Sequence, residues 1–369
     1  MDLSKLRSEE LAQGVLADLE RALEPAARRC PGRPVQVMEV CGTHTMAIAS
    51  SGMRSMLPRG LRMLSGPGCP VCVTAAGDID RALAVAGRPG TIVATFGDML
   101  RVPGSRGSLQ ELKGAGARVQ VVYSPLEALE TARRNPAERV VFLGVGFETT
   151  APIVAAAAHR AWTEGLHNFL VLPMFKLVPP ALHAILSQPD HRIDGLLLPG
   201  HVSVIVGSDS YRFVAEKYGV PGVVAGFEPL DILQALDMLL RQLGAGEASI
   251  QNQYRRTVSS QGNVRALALL EEMFEPVDAS WRAVGVIPGS GLGFREKYRA
   301  LDAGAAFDLP VVDVPEPAGC MCGNILMGRA LPADCPLFGQ ACTPAAPVGP
   351  CMVSSEGACA AAYKYGATA

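Results

Sequence analysis

The sequence predicts an α/β protein in which two Rossmann-like parallel-sheet domains face a cleft and a Cys-rich domain follows them. Three observations carry that expectation. Short β-rich runs alternate with helix-like stretches from residue 35 to residue 245. Most of those runs end in a turn that holds a cysteine, a histidine or a charged residue. Six of the ten cysteines, Cys320, Cys322, Cys335, Cys342, Cys351 and Cys359, fall within 40 residues.

At 369 residues the chain exceeds one core of ~100–150 residues, and two or three domains are expected. Leu3, Leu6, Val15, Leu16, Leu19 and Leu23 recur at helical spacing and predict an amphipathic helix within residues 1–32 that Pro25 helps to end. A first α/β domain, residues 33–135, is read from the strands Val35–Val40, Leu61–Ser65, Thr91–Phe96 and Val119–Tyr123 and the helices Asp78–Ala86 and Pro125–Arg134. A second, residues 136–245, is read from the strands Val140–Val145, Phe169–Leu172, Gly195–Leu198 and Val223–Ala225. Its helices are Ala151–Glu164, Ser208–Tyr218 and Pro229–Leu243. Pro125 and Pro229 suit first-turn positions, where a missing N–H costs nothing. The Pro-rich stretch Leu172 to Pro180 is expected to carry a crossover between the two domains. Residues 246–369 form the third region. They comprise a long helical pattern over Ala248–Phe274, a strand at Ala283–Ile287, a Gly-rich Gly289–Gly293, and a tail. From Pro315 to Gly357 the tail is too rich in Pro, Gly and Cys for long regular elements, so something other than an apolar core is expected to order it.

Charge narrows the partners. The 33 Lys and Arg against 35 Asp and Glu leave a net charge of -2, without the basic footprint of a nucleic-acid or anionic-membrane binder. No run of about eighteen apolar residues occurs, so no membrane span is expected. Residues 1–29 lack the basic start and apolar stretch of a secretory signal. A cytoplasmic location is the expectation, and in that reducing setting cysteines favour metal and redox roles over structural disulfides.

In a parallel sheet the carboxyl-end turns converge on one edge. Val35–Val40 leads into Cys41-Gly42-Thr43-His44-Thr45, and Leu61–Ser65 into Gly66-Pro67-Gly68-Cys69-Pro70-Val71-Cys72. The later strands lead to Asp98, Glu148, Lys176, His201 and Glu228. A cleft lined by Cys, His, Glu and Asp follows. A single loop histidine such as His44 or His201 is most often a turn residue, but a series of such turns favours a site. Neither a GxxxxGKS/T loop nor a strand-anchored GxGxxG occurs, so neither ATP nor NAD is expected.

Cys69 and Cys72 are spaced to close a small-loop disulfide or to chelate one metal, and the Gly/Pro turn is expected to expose both thiols. Inert buried cysteines and half a zinc site are the rival readings. Against zinc, no second CxxC lies at zinc-ribbon distance, and Cys41 and His44 are the nearest further donors. Cys41 is then a candidate iron ligand, in a turn expected to lie apart from the tail. Four of the tail cysteines satisfy either tetrahedral zinc or a [4Fe-4S] cluster, and the prolines near Cys335 and Cys342 favour iron–sulfur. Such a group supplies folding energy to a segment with few large apolar residues, and two thiols are left for a second redox pair. His44, Glu148 and His201 would tune a bound iron by hydrogen bonding or proton transfer.

Taken in order, Cys41 to Thr45, Gly66 to Cys72, Gly146-Phe147-Glu148-Thr149-Thr150, Pro199-Gly200-His201-Val202-Ser203 and the tail from Cys335-Pro336-Leu337-Phe338-Gly339 to Ser354-Ser355-Glu356-Gly357 resemble the HypD family of [NiFe]-hydrogenase maturation factors, from about residue 35 to residue 366. The resemblance implies an assembly scaffold with redox-active thiols, on which the Fe(CN)2CO group of [NiFe] hydrogenase is built. It implies HypC, a small chaperone, and HypE, which delivers cyanide, as partners, and the hydrogenase large subunit as an indirect one. Iron would be held by Cys41 and a cysteine of HypC, with Cys69 and Cys72 as the redox dithiol. A [4Fe-4S] cluster is carried onto Cys320, Cys335, Cys342 and Cys359, leaving Cys322 and Cys351 as the second thiol pair. Two other classes compete. An iron–sulfur thiol–disulfide oxidoreductase explains cluster and CxxC but not Cys41 beside His44 in a separate turn. A zinc-stabilised interaction module leaves the cleft unexplained.

Overall fold

The computed structural model describes residues 8–311 and 314–366. The chain lays down β1 (Val35–Glu39) and β2 (Leu61–Ser65) and leaves to build β3 (Thr91–Thr95), β4 (Val119–Val121), β5 (Arg139–Gly146) and β6 (Phe169–Phe175). It then returns with β7 (Gly195–Pro199), β8 (Gly222–Ala225) and β9 (Ile250–Asn252). The first sheet is parallel in the order β2-β1-β7-β8-β9, and the second is parallel in the order β4-β3-β5-β6. An α/β protein with two parallel sheets is therefore the architecture. All eight strands expected up to residue 225 are present.

The domains do not divide at residues 135 and 136 as the sequence predicts. β1 and β2 pair with β7 and β8 from the later half, while β3 and β4 join β5 and β6. The second sheet is an insertion within the first, because β3 to β6 pair only among themselves before the chain returns to β1 with β7. The Pro-rich stretch does carry a crossover, from β6 through helix Val178–Leu186 to β7.

Both sheets are covered on two faces, which is why their strands read as continuous apolar runs rather than alternating ones. β5 is buried at every position from Val140 to Gly146. The helices show how the covering is specified. Helix Pro125–Arg134 starts at Ser124, whose hydroxyl accepts from Leu126 N–H at 3.2 Å, and buries Pro125, Ala128, Leu129 and Ala132. That i, i+3, i+4, i+7 spacing is one helical face. Helix Glu9–Ala27 packs along helix Pro229–Ala245 through Leu19, Ala22, Leu23 and Ala26. It continues to Ala27 instead of ending at Pro25, whose ring lies against Gly244. Leu3 and Leu6 lie outside the described residues.

The long helix expected over Ala248–Phe274 is limited to Val264–Met273, and Ile250–Asn252 becomes the edge strand β9. The expected strand and Gly-rich stretch merge into a hairpin, β10 (Phe274–Trp281) with β11 (Gly285–Phe294). This hairpin holds two pieces of the site. Arg282 N–H donates to Val73 O at 2.9 Å, and Leu177 N–H donates to Ser290 O at 2.8 Å.

The tail also departs from expectation. Cys322, Ile325, Leu326, Cys351, Met352, Ala358 and Cys359 are buried in one apolar cluster with Met38, Leu64, Leu196 and Val224 of the first sheet. An apolar core thus helps to order it, shared with the sheet rather than its own. Among the described residues no helix is long and apolar enough to cross a membrane.

Candidate functional site

β1 ends at Glu39, and two residues later Cys41 sits at the N-terminus of helix Gly42–Ser50. The residue is 7 % exposed. Burial pushes the Cys41 thiol up to about 12, against the opposing pull of the His44 and Thr43 backbone N–H groups. Burial wins, and the free group is a thiol rather than a thiolate. Glu39 braces the turn from below: Thr45 Oγ1 donates to its Oε1 at 2.6 Å, and Cys41 N–H donates to Oε2 at 3.2 Å. Its carboxyl is fully buried and is pushed up to about 7 by that burial.

The β2 turn lies directly on this one. Gly42 N–H donates to Gly68 O at 2.8 Å, and a Cβ on Gly68 would fall 2.2 Å from Cys41 N. Only glycine permits backbones to approach so closely. Cys69 then opens the short helix Pro70–Val73, its Sγ accepting from Cys72 N–H at 3.2 Å. Cys69 is 3 % and Cys72 0 % exposed, so the expected exposure of this pair is corrected. The tail covers them: Cys72 Sγ lies 4.0 Å from Pro350 O, with the Cys351 thiol as its neighbour.

The tail also reaches the Cys41 turn, which is therefore not apart from it. Thr43 Oγ1 donates to Glu356 Oε1 at 2.7 Å, and a Cβ on Gly42 would fall 2.6 Å from Glu356 Cβ. From β8, Gly226 O lies 2.9 Å from His44 Nε2, leaving the buried Nδ1 without a partner. Burial lowers His44 to about 4, so the ring is neutral; with Nε2 as donor to the carbonyl, Nδ1 is an open acceptor. Phe227 stacks between His44 and His201, with centroids 4.8 and 3.9 Å away, and His201 is the exposed outer face of that stack.

The second sheet contributes Glu148, which accepts from Val178 N–H at 2.9 Å on Oε1 and leaves Oε2 unpartnered. Burial pushes its carboxyl up to about 7. Lys176 instead turns to Asp78, 3.0 Å away, in a buried ion pair, and Asp98 accepts from the Ser354 hydroxyl at 3.2 Å. Glu228 opens helix Pro229–Ala245, its N–H donating to Asp231 Oδ2 at 3.3 Å. Tyr211 was not legible in the sequence. It is fully buried with an unpartnered hydroxyl, and its phenol is raised well above the ordinary value, by burial first and then by neighbouring Glu148. Glu39 was missed as well, although a carboxylate inside an otherwise apolar strand was its signal.

In the tail, all six cysteines line one apolar cavity with Ile325, Leu337, Phe338, Gly349 and Met352. They are mutual neighbours: Cys359, its thiol raised to about 12 by burial first, also feels Cys342, Cys320 and Cys335, and Cys322 and Cys351 each feel the other and Cys359. Because Cys351 also contacts Cys72 and Cys322 contacts Cys320, the thiols run in series from Cys69 through Cys72, Cys351 and Cys322 to Cys320. Among the described residues no three His, Cys, Asp or Glu donors close on a single-ion site.

The family model described as "Hydrogenase formation hypA family", HypD, matches residues 12–366. The chain is 46% identical over 368 residues to "Hydrogenase maturation factor HypD" of Rhodobacter capsulatus, covering 98% of this chain and 97% of that one. It is 48% identical over 348 residues to the protein of the same description from Azotobacter vinelandii, with 92% of each covered. Against that of Escherichia coli (strain K12) the identity is 45% over 334 residues, with 90% of each covered. With its Cys41 turn, buried CxxC and six-thiol tail joined in one structure, the chain belongs to the HypD family of hydrogenase maturation factors.

Proposed function

We infer that this chain holds iron at Cys41 while the Fe(CN)2CO group of [NiFe] hydrogenase is assembled, and that its thiols carry electrons to that site. The observation that carries the reading is the unbroken series of thiols from the six-cysteine cavity to Cys69, beside the Cys41 turn. A structural role would not need five cysteine side chains in succession.

The donor set suits a [4Fe-4S] cluster: soft thiolates in an apolar cavity, with Cys320, Cys335, Cys342 and Cys359 as neighbours. Bound there, such a cluster would supply electrons one at a time. Cys322 with Cys351, and Cys69 with Cys72, would each pass between dithiol and disulfide, taking up or releasing two electrons and two protons. At the assembly site Cys41 loses its proton to become a ligand, since metal coordination overrides the burial that keeps the free thiol protonated. His44 Nδ1, Glu148 Oε2 and the Tyr211 hydroxyl are unpartnered groups of the right kind to orient ligands or receive that proton. A HypC-type chaperone would dock over the Cys41 turn and bring its own cysteine, and a HypE-type protein would deliver cyanide.

Iron and acid-labile sulfide content, with infrared spectra of anaerobically purified protein alone and with HypC, tests this. Bands in the cyanide and carbonyl stretching region together with sulfide support assembly. Sulfide without those bands supports a thiol–disulfide oxidoreductase, and zinc without sulfide an interaction module.

A further inference from the structure

A cavity of about 640 Å³, its open mouth included, lies between helix Gly42–Ser50, β2 and helix Ala358–Tyr365. Ala49, Ala361 and Ala362 form small apolar walls, and Thr45, Ser65 and Arg54 supply the polar ones. Arg54 Nη1 donates to Met63 O at 3.0 Å, and Nη2 lies 3.5 Å from Ser65 Oγ. Both partners are neutral. Among the described residues no carboxylate comes within ion-pair distance of this half-buried guanidinium, and three of its five N–H donors have no protein acceptor.

The nearby acids are committed elsewhere. Glu39, behind the wall, is held by Thr45 and by Cys41 N–H, and Asp334 on the rim accepts from Leu331 N–H at 2.8 Å. Glu39 acts on Arg54 only at a distance, so an anion in contact with the guanidinium fork would complete its pairing. The planar guanidinium fork matches a carboxylate, and alanine walls leave room for a short aliphatic chain.

We propose that this cavity binds a small aliphatic monocarboxylate, its carboxylate on Arg54 and its body against Ala361 and Ala362. The site stands whether or not Cys41 carries iron, but it adjoins that turn. Thr45 lines the cavity and donates to Glu39, which accepts from Cys41 N–H. Ala358 and Asp334, also on the wall, precede Cys359 and Cys335. An occupant therefore touches both the Cys41 turn and the backbone that positions two of the tail cysteines.

The test is calorimetric titration of butanoate into the anaerobically purified full chain, with butanamide as the uncharged isostere. Butanoate is expected to bind with a millimolar or lower Kd and butanamide at least about tenfold more weakly. Arg54→Gln should weaken butanoate at least about tenfold. Because Arg54 also holds Met63 O, Ala362→Phe, which fills the cavity and keeps the charge, is the independent variant and should weaken it as much. Equal binding of the two probes, no binding of butanoate at about 10 mM, or unchanged affinity in folded Ala362→Phe protein overturns the proposal.

Discussion

At Cys41, burial and the N–H groups of a helix start act in opposite directions on one sulfur, and burial prevails. The thiol therefore stays protonated at neutral pH, and on the proposed reading only a metal would take its proton. Replacing Cys41 by Ala removes the ligand without disturbing the tail cavity. The Cys41→Ala protein isolated with HypC should lack cyanide and carbonyl infrared bands while keeping the visible absorbance of the cluster; persistence of the bands would move the anchor to Cys69 or Cys72. Glu148 offers a different handle. Its pKa of about 7 lies above the ordinary 4.5, so the stability it contributes is fully present below about 4.5 and is lost as pH rises through about 7. Across that window the loss approaches about 3 kcal/mol. The Tm of Glu148→Gln minus that of the parent should therefore climb between pH 5 and pH 8. A constant difference would mean that the carboxyl is not held in its neutral form.

Among the elements, the β1 and β2 turns behave as one unit because Gly68 lets their backbones touch. Gly68→Ala would place a methyl 2.2 Å from Cys41 N and 2.4 Å from its Cα, atoms that cannot rotate away. A loss of about 1–3 kcal/mol in denaturant unfolding is expected, and an unchanged midpoint would show that the turns part without cost. In the tail, Cys335→Ala or Cys342→Ala should abolish iron–sulfur absorbance and render residues beyond 314 sensitive to protease, since metal binding and order are coupled there. The elements themselves were largely legible. Strands buried on both faces, such as Val140 to Val145, announce themselves as apolar runs, and Gly, Pro and Cys strings mark the turns. What stayed hidden is set by distant partners. Ile250–Asn252 is a strand because β8 offers it an edge. Cys69 and Cys72 are buried because Pro350, 278 residues after Cys72, closes over them. Tyr211 sits in an ordinary helix-like stretch and becomes interesting only when Glu148 and Cys41 are folded around it.

Over the whole molecule, Cys351 is the thiol that stands between Cys72 near the Cys41 turn and Cys322 in the tail. In Cys351→Ala protein, photoreduction of the cluster should bleach its absorbance yet leave a Cys69–Cys72 disulfide resistant to thiol labelling, whereas the parent reduces both. Equal labelling in the two proteins would show that electrons reach Cys69 and Cys72 by another route. The interleaving of the two sheets also bears on how the protein is made. A ribosome releases β1 and β2 long before β7, so the first sheet waits, incomplete, while the inserted sheet can fold from strands already in hand. The grip on Thr43 comes later still, with Glu356. No nascent chain shorter than 356 residues has a finished surround for Cys41, so on the proposed reading the iron site is complete only when nearly the whole chain has been made.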